Sequence, residues 1–189
     1  KKIEYISRDK ALEIFKSPEK EFNANSICKV IGITPMGALK ILKRLEKEGI
    51  MASKTAGKAT FYRINFASEY ARDYVRFALK REAEHSPPYV RRWVREVRKL
   101  KNADMAILFG SVLKKEAEAS DIDVLLVTTQ DRFGKLKDEI SELNKINEKG
   151  MHAVYQAPED LRNNILKKDK VVLNALKGVV AFGEDKLIG

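Results

Sequence analysis

The chain has 189 residues, with 37 Lys/Arg against 27 Asp/Glu, a formal charge of +10 and a pI near 9.6. Hydrophobic residues at 44% and charged residues at 34% describe a globular, heavily charged protein; they exclude disorder as the main state and collagen-like sequence. The length admits one large domain or two small ones.

The amphipathic stretch from Lys10 to Phe15 places Ala11, Leu12 and Phe15 at helical spacing. A short extended piece around Phe22 then leads to a second helix. Asn25 or Ser26 is its expected cap, and Ile27, Val30 and Ile31 form one face. Cys28, the single cysteine, reads as a small core residue on this helix and excludes an intramolecular disulfide. Gly32 ends the helix, and Thr34-Pro35 opens the next as N-cap and first helical position. Ala38, Ile41, Leu42 and Leu45 make its core stripe, with Lys40, Lys43, Arg44 and Lys47 on the other side. A hairpin is expected over residues 50–54 and 60–64, turning around Gly57, with Lys54 and Lys58 beside the turn.

Helix, helix, short turn, basic helix and basic hairpin is the order of a winged helix-turn-helix. The segment IGITPMGALKILKRLEKEGIM resembles the recognition helix and following turn of that superfamily, as found in small prokaryotic transcription regulators. The resemblance implies DNA as a partner. Lys40, Lys43 and Arg44 would meet phosphates or base edges, and Lys54 and Lys58 would hold phosphate from the wing. Leu39, beside the basic face, suits a protein contact better than DNA reading.

From about residue 67 to residue 84 the spacing predicts a connector helix with Tyr70, Tyr74, Phe77 and Ala78 three or four apart. Tyr70 and Tyr74 are candidates for a homodimer seam, the alternative being packing on a domain. Ser86, Pro87 and Pro88 break the helix. A further helix to about Lys101 presents Val90, Trp93, Val94, Val97 and Leu100 on one face and Arg91, Arg92, Arg95, Arg98 and Lys99 on the other.

Charge divides the chain unevenly. Residues 1–103 hold 24 Lys/Arg and 12 Asp/Glu, a net of +12, while residues 104–189 hold 13 and 15, a net of −2. The two halves are therefore expected to meet different partners.

In the second half, an apolar strand over residues 106–109 stops at Gly110-Ser111, and nine residues further on come Asp121-Ile122-Asp123, opening a strand to Val127. Residues i and i+2 share a strand face, so Asp121 and Asp123 point the same way. Two carboxylates so placed repel unless a cation shares them, and Mg²⁺, bound by hard oxygens, is the natural candidate. Gly110 and Ser111 at a strand-to-helix turn offer backbone N–H groups and a hydroxyl to phosphate.

The run LFGSVLKKEAEASDIDVLLV resembles the signature of the DNA polymerase β nucleotidyltransferase superfamily, and within it the small archaeal and bacterial minimal nucleotidyltransferases. The ending LKGVVAFGE resembles the strand and glycine that close that domain. The resemblance implies a mixed sheet with flanking helices. Asp121 and Asp123 would be metal ligands and catalytic residues, and Gly110 and Ser111 would bind the NTP. A nucleoside monophosphate would pass from the NTP to an acceptor hydroxyl, expelling pyrophosphate. The superfamily's third carboxylate, on a later strand, has no counterpart in residues 151–156; His152 is the conventional base there, with Tyr155 and Gln156 the other polar groups. The signature also differs in carrying Lys114-Lys115 where the minimal proteins often have Arg-Gly.

The expected architecture is α+β: a winged helix-turn-helix DNA-binding domain over residues 1–65, a connector helix over 66–87, and a minimal nucleotidyltransferase domain with a mixed sheet and flanking helices over 88–189. The alternative reading is a transcription regulator whose nucleotidyltransferase domain only binds nucleotide or mediates assembly. Two histidines are too few for a His-based metal site. The chain opens on Lys1-Lys2-Ile3-Glu4 without a signal-type apolar run, and the uncharged run over residues 105–113 is too short to cross a bilayer, so no membrane partner and a cytoplasmic location are expected.

Overall fold

A computed structural model of the protein describes residues 11–188. The chain divides into two compact units with the boundary between Ala78 and Leu79. The architecture is α+β, a winged helix-turn-helix followed by a mixed sheet with flanking helices. No helix among the described residues is long and apolar enough to cross a membrane.

In the first unit residues 11–15 are helical, burying Ala11, Leu12 and Ile14; the expected start at Lys10 lies outside the described residues. Helix α1 spans Ala24–Ile31. Its cap is Asn23, earlier in the chain than either residue the sequence suggested: Asn23 Oδ1 accepts from Ser26 N at 2.8 Å, and Ser26 Oγ accepts from Asn23 N at 2.8 Å. Ser26 is thus the third residue of a reciprocal capping box rather than the cap itself, and Asn25 faces solvent. Gly32 closes α1 at φ 66°, and Thr34 caps α2, Pro35–Lys47, by accepting from Gly37 N at 3.1 Å. Strands β1, Met51–Ala56, and β2, Ala59–Ile64, pair antiparallel from Met51↔Ile64 to Ala56↔Ala59 around Gly57 and Lys58. Phe22 adds an outer bridge, its carbonyl accepting from Tyr62 N at 2.7 Å. Ile27, Leu42, Leu45, Ile50, Met51, Tyr62 and Ile64 are buried, because each element offers one apolar face.

Helix α3, Glu69–His85, crosses the boundary between the units. It buries Ala71, Val75, Ala78 and Leu79, while Tyr70 and Phe77 are 58% and 53% exposed. The aromatic series therefore lies off the buried stripe.

In the second unit, helix α4, Pro88–Val97, ends earlier than Lys101. Three-residue turns close it, Lys99 N and Leu100 N donating to the carbonyls of Glu96 and Val97, and beyond them the Glu139 carboxylate accepts from Lys101 N at 3.0 Å and Asn102 N at 3.2 Å. Four strands follow in the order β5-β4-β3-β6, where β3 is Met105–Phe109, β4 Ile122–Val127, β5 Met151–Gln156 and β6 Val179–Phe182. Pairing is antiparallel for β3 with β4 and with β6, and parallel for β4 with β5. The helices between them are α5, Val112–Lys115; α6, Gln130–Ile146; α7, Pro158–Leu166; and α8, Lys170–Leu176. A short α9, Asp185–Ile188, ends the described chain.

One face of the sheet gives Leu108, Ile122, Val124 and Leu126 to a core with Trp93 and Val97 of α4 and Leu136, Ile140 and Leu143 of α6. Strand alternation sends Asp123 and Leu125 to the opposite face, where α8 packs against β3 and β4.

Candidate nucleotide and metal site

The site lies where β3 ends and where β4 and β5 begin. Phe109, the last residue of β3, pairs with Asp123, and Asp123 in turn pairs with His152 on β5. Gly110 follows at φ +77°, and a β-carbon there would stand 2.1 Å from Asp123 Oδ2. Both facts demand glycine: the backbone takes a left-handed conformation and runs directly over the carboxylate. Ser111 precedes α5, its carbonyl accepting from Lys114 N at 3.0 Å and Lys115 N at 2.8 Å, so the strand turns sharply into a single helical turn.

Asp121 lies one residue before β4, exposed, with Ser120 Oγ donating to its Oδ1 at 3.2 Å. Asp123 is more enclosed, its side chain 24% exposed. Among the described residues neither carboxylate pairs with a lysine or arginine, and no three His, Cys, Asp or Glu side chains form a ready metal cluster. The partner of Asp123 is His152, with Nδ1 3.1 Å from Oδ1.

Strand register separates the other two polar candidates on β5 from this end. Tyr155 and Gln156 stand opposite Leu126 and Val127, three and four residues further along the strand, roughly 10 to 13 Å away at 3.3 Å per residue. Tyr155 packs edge-on against Phe133 at 5.0 Å between ring centroids, and burial raises its hydroxyl above the usual tyrosine value. It remains protonated and is no base for chemistry at Asp123.

Beside Gly110 opens a cleft of about 410 Å³ lined by Gly110, Ser111, Lys114, Lys115, Asn174 and Lys177. The Asp123 carboxylate thus stands against Gly110, and three lysines line the cleft onto which Gly110 and Ser111 open. Lys177 and Asn174 were not singled out from the sequence, since they lie far along the chain from Ser111 and only the fold of α8 onto β3 and β4 brings its end to the turn. Lys149 was also missed. Its ammonium donates to the carbonyls of Ala117 and Ala119 and lies 5.8 Å from the Tyr89 ring centroid, securing the loop that delivers Asp121.

In the first unit, Lys40 and Lys43 lie on the exposed side of α2, on one stripe with Met36 and Lys47 at intervals of four, three and four residues. Arg44 is exposed too, but its Nε is 2.8 Å from Glu48 Oε1, so a carboxylate already faces it. Lys54 and Lys58 are exposed on β1 and in the hairpin turn. Ser53 Oγ donates to Glu46, joining the wing to α2.

Residues 94–177 match the family model described as Polymerase beta, Nucleotidyltransferase. The matched stretch contains Gly110, Ser111, Asp121, Asp123 and His152. No curated protein matches the chain. Among solved structures it is similar to the adhesin competence repressor AdcR of Streptococcus pyogenes, C-terminally His tagged, at 14% identity and a TM-score of 0.34 over 49% of this chain and 66% of that one. Two mutant forms of ZitR from Lactococcus lactis align at 20% and 17% identity, with TM-scores of 0.32 and 0.33, over 49% and 50% of this chain and 60% and 62% of theirs. The aligned part is thus less than two thirds of each of those chains. Likeness at this level defines no shared site.

Proposed function

We propose that the protein binds DNA through its first unit, and that its second unit is a Mg²⁺-dependent nucleotidyltransferase passing a nucleoside monophosphate from an NTP to an acceptor hydroxyl. The observation that carries the second half is the division of charge about Gly110: Asp123 directly beneath its backbone, and Lys114, Lys115 and Lys177 around the adjoining cleft. A metal–triphosphate complex needs this opposition, carboxylates toward the cation and ammonium groups toward the phosphates.

The donor set fits magnesium. Asp121 and Asp123 supply hard oxygens, and among the described residues neither has a lysine or arginine partner. When bound, the ion supplies Lewis-acid charge neutralisation at the phosphates. The chain's own residues do the rest. Gly110 and Ser111 present the turn to the phosphate chain, Lys114, Lys115 and Lys177 offset its outer charge, and Lys149 fixes the loop that presents Asp121.

In the first unit, Lys40, Lys43 and Arg44 on α2 and Lys54 and Lys58 on the wing make the proposed DNA contacts, α2 entering a major groove. Tyr70, exposed, and Tyr74, partly exposed, on α3 are the proposed homodimer seam.

One observation favours a second reading. β5 places His152, and no carboxylate, opposite Asp123. A regulator whose nucleotidyltransferase domain only senses nucleotide or mediates assembly accounts for that. Incubation with labelled NTPs, Mg²⁺ and candidate hydroxyl acceptors separates the two. Label transfer that disappears in an Asp121→Ala/Asp123→Ala double variant supports the enzyme; saturable nucleotide binding with no transfer to protein, nucleic acid or small acceptors supports the sensor.

A further inference from the structure

Helix α4 carries a row of cations outside the proposed nucleotide site. Val90, Trp93, Val94 and Val97 are buried in the core of the second unit. The opposite side presents Arg91, Arg92 and Arg95, continued by Arg98 and Lys99 through the turn that closes the helix. At about 100° per residue these side chains fall within an arc of about 120°, and the row is roughly 12 Å long. Like charges three and four residues apart on a helix repel. Carboxylates offset only part of that repulsion: Glu96 accepts from Lys99 at 2.7 Å, and Glu84 from Arg98 at 2.7 Å. That hydrogen bond holds the Glu84 carboxyl below the ordinary glutamate value, and the charges of Arg98, Arg95 and Arg91 add to it, so one carboxylate serves three guanidinium groups. Arg92 and Arg95 are exposed and form no ion pair among the described residues; Arg92 lies 5.9 Å from the Trp93 ring centroid.

We infer that this face of α4 is a second docking surface for DNA, its guanidinium groups neutralising backbone phosphates. The inference rests on the reading of the first unit as DNA-binding and adds a contact made by the second unit. A free phosphate group meets one or two of these cations, whereas a duplex carries one charge per about 1.7 Å of its axis and meets the whole row. A membrane surface needs an apolar face as well as cations, and α4 has given its apolar face to the core. A protein interface centres on aromatic or aliphatic anchors, and no large hydrophobic side chain of α4 is exposed. Covalent linkage to a DNA-bound first unit makes even a few phosphate contacts effective, because they form at a raised local concentration.

Fluorescence anisotropy of a labelled DNA duplex, titrated with the full chain over a salt series, tests this. Arg92→Gln/Arg95→Gln is compared with Lys167→Gln/Lys170→Gln, which removes the same charge from exposed positions about the α7–α8 turn. The slope of log affinity against log salt should fall in the α4 variant by about 0.9 for each phosphate given up, so by up to about 1.8, and hold its wild-type value in the other. A wild-type slope in the α4 variant, or equal falls in both variants, overturns the inference. An RNA duplex run in parallel names the alternative: a slope that depends on α4 with RNA and not with DNA also overturns it. If Lys40→Ala/Lys43→Ala keeps the wild-type DNA slope while the α4 variant loses it, the reading of α2 fails and the α4 surface stands. If the wild type binds no DNA, both fall.

Discussion

Gly110 and Asp123 are matched to one another: the turn after β3 passes so close over the carboxylate that a β-carbon at residue 110 would stand 2.1 Å from Oδ2. Gly110→Ala must displace Asp123 and strain a backbone at φ +77°. We expect a loss of roughly 1 to 3 kcal/mol in stability of the second unit, measured by denaturant unfolding, together with weakened nucleotide binding. Unchanged stability and binding would show that the turn and the carboxylate are not coupled.

The lysine side of the cleft gives a separate prediction. Replacing Lys114, Lys115 and Lys177 by methionine should weaken binding of an NTP more than that of the corresponding nucleoside, because the ammonium groups act on phosphate. Isothermal titration with both ligands checks this. Equal weakening would place these side chains at the base or sugar instead.

Lys149→Met removes the ammonium that holds the carbonyls of Ala117 and Ala119. The residue touches neither proposed metal ligand, so its effect travels through the loop alone. Divalent-ion affinity should fall severalfold, on the order of 1 kcal/mol for the missing charged hydrogen bonds, and hydrogen exchange should rise in residues 116–121. Exchange unchanged across that loop would contradict the positioning role.

Much of this was readable in the sequence, and the parts that were not have a physical reason. Thr34-Pro35, Gly32 and the hairpin around Gly57 are local signals, and the chain obeys them. The capping box at Asn23 was misplaced by a few residues because Asn25 and Ser26 are equally good caps by composition, and only the reciprocal bonds decide. The chain just past α4 is held by Glu139, about forty residues away, which no local pattern reveals. The two strands that flank Gly110, Ser111 and Asp121 were legible because the apolar runs and the Gly-Ser between them encode strand, turn and strand. The pairing of His152 with Asp123 was not, since it needs the register of two parallel strands joined through α6. Lys177 and Asn174 were invisible for the same reason.

On α2, Lys40 and Lys43 are exposed, whereas Arg44 faces Glu48 at 2.8 Å. Lys40→Ala/Lys43→Ala should lower the salt dependence of DNA affinity by about 0.9 in log–log slope for each phosphate no longer neutralised. Arg44→Ala alone should have the smaller effect. Gel-shift or anisotropy titrations over a salt series test this; a slope unchanged in the double variant would remove α2 from the DNA interface.

Glu96 supplies the pH dependence. The hydrogen bond from Lys99 lowers its carboxyl below the ordinary glutamate value, helped by one from Asn147, which outweigh partial burial. With the folded value depressed, the contribution to stability is complete above the unfolded glutamate range and is lost as pH falls through the lower folded value. Glu96→Gln should therefore be less stable than the wild type near neutral pH, with the gap closing below pH of about 4. Chemical unfolding at stepped pH measures it; a gap that stays constant into acid would refute the assignment.

The central claim, that a metal–nucleotide complex binds about Gly110, Ser111, Asp121 and Asp123, is tested most directly by calorimetric titration of a nonhydrolysable NTP into the full chain with and without divalent metal. We predict saturable, metal-dependent binding in the wild type and its loss in Asp121→Ala/Asp123→Ala with the fold retained. Binding that is absent, or that persists undiminished in the double variant, would contradict the account.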